Sequence, residues 1–428
     1  MCLRHQILTI GVFLNLFILS LLGPLCTEAA VKIGPEFQVN TYTDNDQRNP
    51  SVTELSGGGF VITWNSDGQD GSVDGIYGQL FDSSGNKVGS EFLANTYTDN
   101  TQRYPSVAGL SGGGFVVTWQ SYIQDGSYYG IYGQLFDNAG NKVGSEFLVN
   151  PLTSWSERYP SVAGLSGGGF VVTWEFYVEE LYSNIYGQLF DSSGNKVGSE
   201  FQANTYTNDL QRVPSVAGLS GGGFVVTWVS QYQDGSFNGI YGQLYDNSGN
   251  KVGSEFWTNT YTSNNQTNPS VAGLSGGGFV VTWMSMYQDG SGPGIYGQLF
   301  DSSGNKVGSE FQVNTYTNGG QTLPSVAGLS GGGFVVTWYD FGGQDGSGHG
   351  IYGQLFDNAG NKVDSEFRAN TYTSNNQSNP SVAGLSGGGF VVTWTSEGQD
   401  GSDYGIYGQL FEIKDKAMPC IPLLLLDY

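Results

Sequence analysis

The run Gly112-Gly113-Gly114-Phe115-Val116-Val117-Thr118-Trp119 decides the fold, because the chain writes it seven times. Its tryptophan recurs as Trp64, Trp119, Trp174, Trp228, Trp283, Trp338 and Trp394, at spacings of 55, 55, 54, 55, 55 and 56 residues, with Ile62 replacing one valine in the first copy. A fixed period of this length marks a repeat architecture in which each unit buries its apolar face on its neighbours.

Working outward from that run, one unit divides into four strands. Strand A is Pro105 to Leu110, and a Ser-Gly-Gly-Gly turn leads to strand B, Phe115 to Ser121. A Gln-Asp-Gly-Ser loop leads to strand C, Gly130 to Asp137, and an Asn-Ala-Gly-Asn turn to strand D, Glu146 to Asn150. Runs of Val, Ile, Phe, Tyr and Trp between Gly, Asn, Asp and Ser clusters are strand and hairpin signals. Strand B is apolar on both faces, with Phe115, Val117 and Trp119 on one and Val116 on the other, as suits a sheet packed between two neighbours. Four antiparallel strands repeated seven times predict an all-β, seven-bladed β-propeller. The Glu-Phe strand occurs before the first A strand, at Glu36, and not after the last C strand near Phe411. Glu36 to Asn40 is therefore expected to complete the seventh blade and remove two exposed sheet edges.

Composition agrees. The 428 residues include 68 glycines and 14% aromatics, which suits short strands joined by tight turns. The net charge of −23 repels phosphate backbones and sets nucleic acid aside as a partner. Arg4 and His5 precede an apolar run from Ile7 to Leu25, and Thr27-Glu28-Ala29 offers small residues for cleavage. This reads as a secretory signal peptide over 1–29, followed by the propeller over 30–414 and a tail over 415–428. The expected setting is secreted or cell-surface, with membrane contact only through an uncleaved leader, and a monomer is expected. Cys2, Cys26 and Cys420 all lie outside the repeats, which therefore contain neither disulfides nor cysteine-based metal sites.

Comparison of the copies separates the loops. The A–B and C–D turns are nearly uniform; the B–C loops and D–A connections vary, and in an up-and-down blade these share one face. Rigid scaffolds carry function on such loops. The residue two before each strand-A proline is Arg48, Arg103, Arg158 and Arg212 in the first four copies, then Thr267, Thr322 and Ser378. Four guanidinium groups would line half of the channel mouth, suited to carboxylate or sulfate, unless they pair locally with Asp44, Asp46, Asp99 or Asp209. The Gln-Asp-Gly-Ser loops place Asp70, Asp125, Asp234, Asp289, Asp345 and Asp400 on that face, either as a ligand surface or as ordinary turn residues. No cofactor is implied. Calcium is the ion these loops would accept, but it needs several more oxygens at one point, and only the first copy adds Asp67 and Asp74. The third copy departs from the pattern with Glu175-Phe176-Tyr177-Val178-Glu179-Glu180-Leu181-Tyr182. Tyr122, Tyr128, Tyr129, Tyr232 and Tyr287 stand in or near the other loops.

At Gln124-Asp125-Gly126-Ser127-Tyr128-Tyr129-Gly130-Ile131-Tyr132-Gly133-Gln134-Leu135-Phe136-Asp137 the chain resembles the tandem repeats of secreted bacterial adhesin-like propeller proteins, and it is distantly similar to integrin α-chain propeller repeats. The resemblance implies a propeller in a secreted or surface setting and carries no catalytic residue. Integrin repeats hold calcium-binding carboxylates in the A–B turn, where this chain has Ser-Gly-Gly-Gly.

Near-identical blades suit multivalent binding, whereas a catalytic centre needs different groups from different blades. His349 lies in a glycine-rich loop without an obvious carboxylate partner, so a Ser–His–Asp arrangement has little support. The expected function is a non-enzymatic binding or adhesion module for a glycan or extracellular protein. A polysaccharide hydrolase or lyase is the alternative, since two facing carboxylates would suffice. A structural surface or matrix protein is the third reading.

Overall fold

The computed structural model describes residues 27–416 apart from 127, 151–154 and 179–181. Nearly all of the expected signal segment, with Cys2 and Cys26, and the tail from 417 onward, with Cys420, lie outside the described residues.

The described chain is all-β, and its seven four-stranded antiparallel sheets form a seven-bladed propeller. Six blades are consecutive four-strand meanders. In the seventh, the N-terminal strand Thr27–Gln38 pairs with the last strand, Tyr404–Lys416, from Thr27↔Lys416 to Gln38↔Tyr407. The ring therefore closes by joining the two ends of the chain, over a longer strand than Glu36 to Asn40.

Strand boundaries differ from the sequence reading at two places, each for a local reason. Strand A of blade 2 is Gln102–Gly109, beginning before its proline. Pro105 has no N–H for the ladder, so the register shifts between Arg103 and Ser106 and pairing resumes at Arg103↔Gln120. Strand D of blade 2 is Lys142–Leu148, beginning well before Glu146. Its first residues are polar and exposed, and Gly144 at φ 69° accompanies a bulge against strand C.

The core lies between blades. Trp119 of blade 2 packs with Val61, Ile76 and Leu80 of blade 1. Trp64 of blade 1 packs in the same way with Val391, Ile406 and Leu410 of blade 7. All seven strand-B tryptophans are buried. Around the channel the strand-A serines form a closed belt. Ser51 Oγ accepts the Val107 N–H at 3.2 Å, and the series continues from blade to blade until Ser381 Oγ accepts the Val52 N–H at 3.2 Å.

Candidate functional site

The channel mouth is shaped by the proline in strand A. The residue before it adopts left-handed φ in every blade, between 50° and 56°, at Asn49, Tyr104, Tyr159, Val213, Asn268, Leu323 and Asn379. These residues, with the Pro-Ser that follows each, line the channel. The preceding residue pairs across to the one after the tryptophan: Arg48↔Asn65, Arg103↔Gln120, Arg158↔Glu175 and Arg212↔Val229. In the next two blades the pairs are Thr267↔Met284 and Thr322↔Tyr339. The charged arc of the rim thus runs over blades 1 to 4.

A cleft of about 370 Å³ opens where blades 7, 1 and 2 meet, lined by Asp46, Asp67, Asp74, Arg48, Arg103, Tyr104 and Tyr404 among others. Asp67 ends strand B (Phe60–Asp67) and Asp74 begins strand C (Asp74–Phe81), and the two are direct cross-strand partners. Asp46 joins them because its carbonyl accepts the Asp67 N–H at 2.8 Å. Three carboxylates are held together by backbone pairing alone.

Their surroundings differ. Asp74 is buried; its Oδ2 accepts from Arg103 Nε at 2.6 Å and its Oδ1 from Asn65 Nδ2 at 3.2 Å. Asp46 Oδ2 bonds Arg48 at 2.8 Å, while its Oδ1 is buried with no hydrogen-bond partner among the described residues. Arg48 in turn lies 3.9 Å over the ring of Tyr404. Asp67 is pushed above the usual carboxylate range by burial, and the charges of Asp74 and Asp46 push it further. Burial and two neighbouring carboxylates thus favour the protonated form of Asp67, which is what a general acid requires. Local pairing with aspartate therefore holds for Arg48 with Asp46, while Arg103 turns to Asp74 instead of Asp99.

Blade 3 holds a second group of acids. Glu157 stands where the other six blades have glutamine. In blade 1 that glutamine, Gln47, accepts from Asn40 Nδ2 at 3.0 Å and donates to the Asp44 carbonyl at 2.8 Å. Glu157 is buried, and among the described residues no other residue hydrogen-bonds its carboxyl oxygens; burial, helped by the charges of Asp125 and Glu200 and opposed by its own backbone N–H, raises it to about 9. Glu175 is raised by burial to about 7, opposed by the Val213 N–H, Arg212 and Arg158. In the sequence Glu157 is marked as the one acid in a column of glutamines.

The loop aspartates make their contacts within their own blades. Asp70, Asp234, Asp289, Asp345 and Asp400 each accept the N–H of the serine two residues on, at 2.9 to 3.1 Å. The second oxygen rests over the glycine near the start of strand C: a Cβ on Gly75 would meet Asp70 Oδ2 at 2.5 Å. Blade 3 lacks the aspartate, and there Asn184 replaces that glycine, accepting from Asn204 Nδ2 at 2.7 Å. With Asp125, the six remain one per blade, and among the described residues no group of three acidic, His or Cys side chains is placed to hold a metal. His349 packs against Tyr339 and Phe341, with ring centroids at 5.6 and 6.1 Å. Tyr128, Tyr232 and Tyr287 are exposed, while Tyr122 and Tyr129 pack on each other at 5.0 Å.

No protein-family model and no curated sequence matches the chain. Solved structures share the fold. A protein of unknown function from Dyadobacter fermentans aligns at 10% identity over 91% of this chain and 100% of its own, with a TM-score of 0.50. The α-L-arabinanase of Penicillium chrysogenum aligns at 14% over 73% and 93%, and the α-L-arabinofuranosidase of Fusarium graminearum at 13% over 88% and 98%, both with a TM-score of 0.48. At these identities the likeness speaks for the fold alone. The expectation of a non-enzymatic binding or adhesion module is corrected here. Among the solved structures that share the fold are proteins named as arabinanases and arabinofuranosidases. The physical argument against an enzyme also fails, because three near-identical blades deliver different groups to one cleft.

Proposed function

We propose that the protein is a glycoside hydrolase acting on polysaccharide at the cleft between blades 7, 1 and 2. The observation that carries this reading is Asp67, held toward its protonated form beside two further carboxylates. Asp67 donates its proton to the glycosidic oxygen as the bond to the anomeric carbon breaks. Asp46, held by Arg48 through Oδ2, takes the proton of the water that attacks that carbon. Asp74 is a positioning residue: its charge keeps the proton on Asp67, and it anchors Arg103 at the wall.

Release of reducing ends from a panel of plant and bacterial polysaccharides tests this. Asp67→Asn and Asp46→Asn are each expected to lower kcat by a factor of about 10² or more. Activity that depends on Asp67 as the acid falls as pH rises through its elevated pKa, so the alkaline limb of the profile should move in Asp74→Asn. Turnover unchanged in both Asp67→Asn and Asp46→Asn would sink the assignment.

A further inference from the structure

We propose that the rim of blades 2 to 4, beside the cleft, is a subsite for a carboxylate-bearing sugar, a uronate unit of an acidic polysaccharide. Arg158 and Arg212 would hold the carboxylate, and the Tyr104–Tyr159 pair the sugar ring. The inference rests on the hydrolase reading for what the cleft does and deepens it by naming the substrate class.

The first argument is where the cations are. The chain has six arginines and nine lysines. Seven of the lysines and Arg368 lie on strands D, and the other two lysines are in the last strand. The rim positions thus have only Arg48, Arg103, Arg158 and Arg212, all on one arc. Arg48 and Arg103 are bonded to Asp46 and Asp74. Arg158 is different: its guanidinium lies 4.2 Å over the ring of Tyr177, and its Nε is buried with no hydrogen-bond partner among the described residues. Arg212 is exposed in the next blade. A planar guanidinium braced on an aromatic ring has the fork geometry that matches a carboxylate.

The second argument is independent of charge. Of the seven pre-proline positions on the rim, only two are aromatic, and they are neighbours. Tyr104 and Tyr159 pack at 5.1 Å between centroids with their planes at 60°, each 37% exposed. Both backbones are left-handed, at 55° and 51°, which sets the residue at the mouth of the channel. Partly exposed tyrosines give a sugar ring an apolar face with hydroxyls at its edge. Tyr104 lines both the cleft and the channel, so a chain seated on the pair leads directly into the cleft.

The acids nearby do not cancel the arginines. Glu157 is buried and kept neutral, and Glu175, between Arg158 and Arg212, is raised by burial against their pull. Across the channel the equivalent positions are Thr267, Thr322 and Ser378.

Calorimetric titration of the full chain carrying Asp67→Asn, so that nothing is cleaved, tests the subsite. The probes are a hexamer of α-1,4-galacturonate, an arabinan hexamer and a sulfated neutral hexamer. The galacturonate hexamer is expected to bind at least about tenfold tighter than the arabinan hexamer. Adding Arg158→Gln with Arg212→Gln should remove that difference and leave arabinan binding unchanged. The exposed Arg212→Gln alone, which leaves the core untouched, should give a several-fold loss. Equal affinity for the neutral and uronate hexamers, tighter binding of the sulfated one, or uronate binding indifferent to the arginines would overturn the proposal. Reducing-end release by the unsubstituted chain reports on the hydrolase reading separately: uronate binding without turnover on any polymer rejects that reading and keeps the subsite, while turnover on neutral polymer alone does the reverse.

Discussion

Glu157 shows how much one atom exchanged in a repeat can change. Six blades place a glutamine there that donates under the D–A connection, and five of the six also accept; a carboxylate cannot donate, and a buried one loses its hydration. The fold answers by keeping the proton, at about 9 against 4.5 for an ordinary glutamate. Below pH 4.5 the group is neutral in both folded and unfolded chains and has no effect on stability. As pH rises toward 9 the unfolded chain ionises and the folded one does not, so stability is lost across that window. Glu157→Gln removes the loss. Its melting temperature is expected to exceed that of the unsubstituted chain, by a margin smallest at pH 4, larger by about 3 kcal/mol at pH 7 and largest near pH 9. A margin that does not grow with pH would mean that the carboxyl is relieved by another route.

At the scale of the blade, the repeated motif is a set of paired fits, and much of it was legible. The tryptophan spacing, the strand-B run and the invariant turns gave the strands and their number. The start of strand D is not legible, because its first half is polar and exposed and its apolar pattern starts only at Glu-Phe. The loop aspartates looked like candidate ligands because sequence does not reveal that the next strand's glycine lies beneath each one. Asp67 and Asp74 were visible as neighbours, but only strand register makes them face each other. A similar fit joins strands C and D. The ring of Phe311 lies over Gly297, where a Cβ would meet Cζ at 2.7 Å and Cε2 at 2.9 Å. That ring also packs on Phe356 of the next blade at 5.2 Å, so it cannot move aside freely. Gly297→Ala is expected to cost about 1–3 kcal/mol in urea denaturation through overpacking. Phe311→Leu added to it should recover part of the loss; if the alanine is neutral, the ring has room that the close contact denies.

For the whole molecule the decisive feature is closure. Every blade but the seventh is contiguous in sequence, and the candidate cleft draws Tyr404 and Thr395 from blade 7, so the site depends on the joint between chain ends. That joint has three components. The strand Thr27–Gln38 supplies backbone pairing to Tyr404–Lys416. Phe37 packs on Phe81 of blade 1 at 5.2 Å, repeating the contact that Phe92 makes with Phe136 at 5.0 Å. Glu36 accepts the Thr371 N–H at 2.5 Å and a bond from Gln399, tying strand D to its loops. Removing residues 27–38 leaves the last strand as an unpaired edge and uncovers the blade 7–blade 1 core. Losing Phe37 alone should cost about 3 kcal/mol. The shortened chain is expected to melt at least 10 °C lower and to self-associate through its open edge, seen by light scattering. Phe37→Ala in the full chain separates the two effects: it loses the packing and keeps the ladder, so it should melt lower but remain monomeric. A shortened chain that keeps its melting temperature and stays monomeric would show that the ring is held by the serine belt and the inter-blade cores without its terminal strand.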